Sequence, residues 1–344
     1  MQWLFYPAVL FLLLLMGCSD KAERAKRQAS SFFLRGKRAL QQKNYEEAIR
    51  FFKEAINKDS AFAEAWNNWG VAEAALGHYQ IALQAYEGAL KADSHFTDAY
   101  YNRSNAFFEL GQFKEALADI ERVAAVYRDS AYVFVSRGIV LSRLGQTQKA
   151  QRDFITAIAL DSSNTDAYIN LGVLFFEQKD YAKALQNFEK ALALQPDSDF
   201  ALNNLAMVQI AQGAYKEALE KLNRAIAKNP RQPYYLNNRA FIHLMNGHLQ
   251  AAEEDLRLSL YYDPENSWAI RNAGILALQK NLPDSALRAF QKAYQINPST
   301  ADIHYYMGMA YLALGNRQQA CQQWKASLTK GERTRIPELV RYCR

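Results

Sequence analysis

The sequence predicts an all-α chain built from repeated helix pairs, and two observations carry that expectation. Apolar residues make up half of the 344 positions, yet they recur in a pattern that returns every 34 residues rather than in one continuous core alternation. Within that period, several positions hold one kind of side chain from end to end, which a single globular domain would not require.

Starting at Ala29, units begin at residues 29, 63, 97, 131, 165, 199, 233, 267 and 301, and nine of them fill 29–334 without an insertion. The register is visible in the segments WNNWG, YYNRS, FVSRG, YINLG, LNNLA, LNNRA, IRNAG and HYYMG. Position 20 is alanine in every unit, from Ala48 and Ala82 to Ala286 and Ala320. Position 8 is always Gly, Ala or Ser, from Gly36 to Gly308. Position 24 is always large and apolar: Phe52, Tyr86, Ile120, Phe154, Phe188, Leu222, Leu256, Phe290 and Trp324. Two antiparallel helices approach closely only where small residues face one another and a bulky neighbour fills the space beside them. The turns LGHY, LGQF, LGQT and LGNR place Gly where a helix ends in the left-handed conformation. Pro196, Pro230, Pro264 and Pro298 separate one unit from the next.

This pattern resembles the tetratricopeptide repeat over about nine-tenths of the chain. The resemblance implies a right-handed superhelical solenoid of nine helix pairs, in which each unit buries its face against its neighbours and first helices line a concave groove. It also implies a binding scaffold rather than an enzyme.

Charges at two positions have a structural reading. Arg103, Arg137 and Arg239 stand at position 7, and Asp119, Asp153 and Asp255, in the same three units, are the only aspartates at position 23. These positions lie on facing helices, so three ion pairs within repeats are expected: Arg103–Asp119, Arg137–Asp153 and Arg239–Asp255. Arg35 shares position 7, but Phe51 stands opposite, which leaves that arginine solvated at the open end.

Asparagine is a poor helix former, yet position 6 carries Asn68, Asn102, Asn170, Asn204, Asn238 and Asn272, and position 5 adds Asn67, Asn203 and Asn237. In the geometry that the resemblance implies, positions 2, 5, 6 and 9 face the groove. An amide there donates and accepts, so it can clasp an extended peptide backbone. Aromatic residues at position 2 (Tyr132, Phe200, Tyr234 and Trp268) add apolar surface suited to a partly apolar polypeptide. The run Asn170–Asn272 is the expected track; contact with water or with a neighbouring unit is the alternative. The lysines that would hold a chaperone C-terminus are missing, since no unit has Lys at position 2 or 5.

Residues 1–17, MQWLFYPAVLFLLLLMG, carry no charge and are short for a membrane span. They end in LMGC, which resembles the lipobox of bacterial lipoproteins and implies cleavage before Cys18 and its lipidation. Met16 and the uncharged start depart from that pattern. An uncleaved N-terminal anchor is the competing reading. Residues 18–28 form a basic tether, and 335–344 form a capping helix with the apolar stripe Ile336, Leu339, Val340 and Cys343. Cys321 sits at a position that faces the following element, here that cap. With Cys18 lipidated, Cys321 and Cys343 are the remaining thiols, and a disulfide between them is expected in an oxidising compartment.

The chain carries a net charge of +6, concentrated near its two ends. Nucleic-acid binding is not expected, because that basicity is divided. No phosphate loop, nucleophile elbow, CxxC pair or HExxH occurs, and the five histidines are scattered, so no enzyme, metal, cofactor or small-molecule substrate is expected. The expectation is a lipid-anchored scaffold of the cell envelope, at the outer membrane facing the periplasm, that binds a polypeptide segment in its groove. A pilotin-like factor is its most specific version. A cytoplasmic-side adaptor held by an uncleaved helix, regulating an enzyme or signalling complex, is the alternative.

Overall fold

The computed structural model describes residues 6–343, with side chains from Glu23 onward. The leader 1–17 and Cys18 therefore lie outside the residues whose side chains are described. Among the described residues there are nineteen helices and no strand, and no helix is long and apolar enough to cross a membrane. The chain divides into two compact units, residues 1–170 and 171–344.

In the first unit, four consecutive pairs pack side by side. They are α1 (Tyr6–Gln41) with α2 (Tyr45–Lys58), α3 (Ala63–Ala75) with α4 (Tyr79–Ala92), α5 (Thr97–Glu109) with α6 (Phe113–Val126), and α7 (Ala131–Arg143) with α8 (Thr147–Leu160). Tether residues 23–28 continue α1 rather than forming a separate segment. Helix α9 (Thr165–Glu177) spans the division. The second unit continues with α10 (Tyr181–Leu194), then pairs α11 (Asp199–Ala211) with α12 (Tyr215–Lys228) and α13 (Pro233–Met245) with α14 (Leu249–Tyr262). It ends with α15 (Ser267–Gln279) paired to α16 (Pro283–Ile296), α17 (Ile303–Ala313) paired to α18 (Arg317–Thr329), and the short α19 (Pro337–Tyr342). First helices of successive pairs also touch: α11 with α13, α13 with α15, and α15 with α17.

The pairs are close because positions 8 and 24 are matched in size. Wherever position 8 is Gly, position 24 is aromatic, as in Gly36–Phe52, Gly70–Tyr86, Gly138–Phe154, Gly172–Phe188, Gly274–Phe290 and Gly308–Trp324. A Cβ added at Gly138 would stand 2.5 Å from the Phe154 ring. Where position 8 is Ser104, Ala206 or Ala240, position 24 shrinks to Ile120, Leu222 or Leu256. Every position-24 side chain is buried. The sequence shows both columns; their co-variation is the packing rule that joins them.

Turns within pairs use Gly77, Gly111, Gly145, Gly213, Gly247 and Gly315 at φ between +70° and +80°, and Lys43, Lys179 and Asn281 take the same place at φ near +60°. Between pairs, Asp59, Asp93, Asp161 and Asp263 each accept the N–H two residues on, closing the boundary turn.

The C-terminal segment closes the second unit. Cys321 and Cys343 form a disulfide, Ile336 is buried against Trp324, and Leu339 and Tyr342 pack on the same cluster. The cap differs from its sequence reading. Its helix spans Pro337–Tyr342 alone, and Val340 is 61% exposed, because Tyr342, not Val340, turns toward Trp324. Ahead of the cap, Glu332 accepts the N–H groups of His304 and Tyr305, so its carboxylate closes the N-terminus of α17. Arg333 pairs with Asp302 and lies 3.6 Å from the Tyr305 ring centre.

Candidate polypeptide-binding face

The charged residues at positions 7 and 23 meet inside the repeats. Arg103 reaches Asp119 through Nε at 2.7 Å and Nη2 at 2.8 Å, Arg137 reaches Asp153 at 2.7 and 2.8 Å, and Arg239 reaches Asp255 at 2.8 and 2.7 Å. All three aspartates are buried. The paired carboxylates raise the three guanidinium pKa values above the ordinary arginine value, against the opposing effect of burial. Arg35 is exposed, and its guanidinium lies over the Phe51 ring at 4.1 Å rather than in water alone. A hollow of about 330 Å³ beside the first pair is lined by Tyr100, Arg103, Phe107, Glu115, Asp119 and Arg122, with no asparagine of the position-6 series.

The asparagines divide into two kinds, and the residue 35 positions earlier decides which. Asn102 donates to Asn67 Oδ1 at 3.0 Å, Asn238 to Asn203 at 2.9 Å, and Asn272 to Asn237 at 2.7 Å. In each case position 5 of the preceding repeat is also asparagine. Asn68, Asn170 and Asn204 have Phe33, Val135 and Ile169 at that place. Each instead donates to the carbonyl four residues back in its own helix: Glu64, Asp166 and Phe200, at 2.7, 2.8 and 2.9 Å. A side-chain bond to a carbonyl already serving the helix is weak and exchangeable. A bond between repeats is part of the packing.

Three sequence-expected groove asparagines are therefore relocated. Asn67, Asn237 and Asn272 are 7%, 4% and 0% exposed, because their amides join neighbouring repeats instead of facing outward. Asn237 and Asn272 extend into a one-directional chain. Arg271 donates to Asn272 Oδ1, Asn272 to Asn237, Asn237 to Asn238 at 3.4 Å, and Asn238 to Asn203. Each amide oxygen accepts from the group before it, with the Arg271 guanidinium at the head of the chain.

Arg271 was not singled out by its sequence pattern, although it is the only charged residue at position 5 of any unit. Burial pulls its pKa below the ordinary arginine value. Three rings surround its guanidinium, Trp268 at 5.0 Å, Phe241 at 5.6 Å and Tyr306 at 6.0 Å. Tyr306 in turn is pushed up by its own burial.

On the outside of this framework, Phe200 is 58% and Tyr234 51% exposed, and Trp268 is half-buried. They are position 2 of successive repeats on α11, α13 and α15, with Asn204 one turn beyond Phe200. In the first unit Tyr132 is exposed as well, its ring 5.4 Å from that of Tyr101. Among the described residues no group of three or more His, Cys, Asp or Glu is placed to hold a metal ion.

Stacked helix pairs with an apolar, amide-bearing first-helix face define a helical-repeat scaffold. The chain belongs to the tetratricopeptide repeat family. One tetratricopeptide repeat model matches residues 67–131, 203–267 and 271–328, more than half of the sequence, and two others match 129–197 with 163–231, and 29–60. Members of this family are generally non-catalytic scaffolds for proteins.

Solved structures show the same fold. A tetratricopeptide repeat protein from Parabacteroides merdae is 20% identical over 72% of this chain and 98% of its own, with a TM-score of 0.58. The APC/C hetero-tetramer Cut9–Hcn1 aligns at 16% identity over 88% of this chain and 73% of that one, TM-score 0.62. The pilF protein of Pseudomonas aeruginosa aligns at 20% over 63% and 98%, TM-score 0.52. No curated protein is similar enough to match the chain.

Proposed function

We propose that this protein is a non-enzymatic scaffold that holds a polypeptide segment against the first helices of its second unit. The observation that carries this reading is the row of outward aromatic side chains, Phe200, Tyr234 and Trp268, beside the exchangeable amide of Asn204. Exposed aromatic surface next to an amide with both donor and acceptor suits an extended, partly apolar segment. Asn203, Asn237, Asn238 and Asn272 support the face from within. They fix the spacing of the helices that present it.

The anchoring part of the proposal rests on the sequence LMGC and on the disulfide. Lipidation at Cys18 would hold the array at a membrane of the cell envelope, with the outer membrane facing the periplasm favoured because Ser19, rather than Asp, would follow the lipidated cysteine, as in lipoproteins sorted there. A Cys321–Cys343 disulfide persists in an oxidising compartment of that kind. Within this reading, a pilotin-like role serving a secretin or pilus is the most specific version.

The test is a crosslinked pull-down from membranes, comparing wild type with the combined Phe200→Ala, Tyr234→Ala and Asn204→Ala variant at equal folded levels. A polypeptide held by wild type and lost from the variant supports the reading. Equal capture by both places the binding surface elsewhere. Intact mass of the membrane-extracted protein addresses the anchor, and a chain that still begins at Met1 removes lipidation from the account.

A further inference from the structure

Arg271 differs from every other buried charge that the second unit uses. Its acceptors are neutral: Nε and Nη2 meet Asn272 Oδ1 at 3.1 and 2.8 Å, and Nη1 meets the Ala301 carbonyl at 2.9 Å. An arginine has five N–H donors, so two are left without a protein acceptor among the described residues. The residue is 7% exposed, and no carboxylate pairs with it among the described residues. The neighbouring acid, Asp302, is already engaged by Arg333 at 3.1 and 3.2 Å. Glu332, at the start of α17, is likewise committed to the His304 and Tyr305 N–H groups, so Arg271 keeps no counterion of its own among the described residues.

Amide dipoles and aromatic faces make that charge tolerable without neutralising it. A buried guanidinium whose only partners are dipoles attracts an anion strongly, because a low-dielectric surrounding screens little. The groups are also held in place. The amide chain through Asn272, Asn237 and Asn238 fixes the guanidinium plane before any ligand arrives, so little ordering remains for binding to impose.

We infer that an acidic side chain of the bound polypeptide pairs with Arg271, entering beside Trp268 while apolar residues on its flank rest on Tyr234 and Phe200. This rests on the reading of the first-helix face given above and names the chemistry of its partner. Charge complementarity selects the occupant: a carboxylate balances the unpaired Arg271 charge and accepts from its two uncommitted N–H groups, in the charge-assisted geometry that guanidinium favours.

The experiment uses the full chain and fluorescein-labelled, C-terminally amidated nonapeptide mixtures, in which a fixed central residue is flanked by Ala, Leu, Phe and Ser. With central Glu, affinity by anisotropy should exceed that with central Gln by about tenfold or more, and central Lys should not bind. Arg271→Gln should abolish the preference for Glu, and Arg271→Lys should keep part of it. Equal binding of the Glu and Gln mixtures overturns the inference, yet leaves the polypeptide-binding face standing if Phe200→Ala/Tyr234→Ala weakens both. Binding of no mixture also overturns it, and the face is then judged by the membrane pull-down. A central-Gln peptide that binds only with a free C-terminus overturns the side-chain assignment in favour of a terminal carboxylate. Should Arg271→Gln fail to fold, the comparison of Glu with Gln on wild type decides alone.

Discussion

Arg137 in the first unit and Arg271 in the second are both arginines on the first helix of a pair, and they are held by opposite means. Arg137 is closed by two short bonds to the buried carboxylate of Asp153, and its side chain remains 24% exposed. Arg271 is buried more deeply and meets only an amide, a backbone carbonyl and three aromatic rings. The contrast separates two uses of charge in one fold. A paired charge registers the two helices of a repeat. A charge left without a counterion, but fixed in orientation, is available to something outside the chain.

The largest effect should come from making the first resemble the second. Asp153→Ala strands the Arg137 guanidinium against the helix pair, and equilibrium denaturation should show a loss on the order of 3 kcal/mol. A double-mutant cycle with Arg137→Met should recover most of that loss; additive effects would mean that the two side chains do not act as a pair. Opening the Cys321–Cys343 bridge is expected to be nearly as large. Its loop of 22 residues corresponds to about 3 kcal/mol, and Cys321→Ser should lower the melting temperature to the value that wild type shows under reductant.

The packing rule gives the next effect. Gly138→Ala pushes a methyl group into the buried ring of Phe154 and should lower stability by about 1–2 kcal/mol despite the better helix propensity of alanine. Phe154→Leu, which copies the Ala206–Leu222 and Ala240–Leu256 pairs, should relieve most of that loss. If the double variant is no better than the single one, the matching of the two columns is coincidental.

A pH effect sharpens the comparison at a third arginine. His243 lies 3.9 Å from Asp255, which Arg239 already holds, with His248 close by. Burial lowers the His243 pKa in spite of Asp255, and Arg239 and His248 lower it further. The unfolded chain therefore takes up a proton near pH 6.5 that the folded chain refuses. This histidine's contribution to stability is present above that pH and is lost as pH falls toward the depressed folded value. Denaturation midpoints between pH 7.5 and 5 should fall less steeply for His243→Gln than for wild type; identical slopes would remove the effect. The smallest change is expected at Lys179, whose φ of +62° suits glycine. Lys179→Gly should alter stability by less than about 1 kcal/mol, with stabilisation the expected sign.

Much of this architecture is legible in the sequence because a repeat reports its own constraints several times. Ala48 and its eight equivalents, the small and large columns at positions 8 and 24, and the paired Arg and Asp columns are visible without coordinates. What is not legible is the direction of a side chain that can bond either way. Asn170 and Asn238 occupy the same repeat position, and the residue 35 places earlier, Val135 or Asn203, decides whether the amide stays on its own helix or joins its neighbour. Arg271 escapes the same reading for a related reason. Its single occurrence at position 5 gives no column to compare, and its surroundings come from three helices: Phe241 on α13, Trp268 on α15 and Tyr306 on α17. At the C-terminus, periodicity places Val340 on the inner face. The short cap instead lets Tyr342 reach Trp324.

The most direct measurement is urea denaturation of Arg137→Met and Arg271→Met beside wild type. If paired charge holds the fold and unpaired charge serves a partner, Arg137→Met should lose on the order of 3 kcal/mol through the stranded Asp153, while Arg271→Met, which leaves no buried ion but strands the buried Asn272 oxygen, should lose clearly less, about 1 kcal/mol. Equal losses in the two variants would contradict the account and make Arg271 a structural residue like the other three.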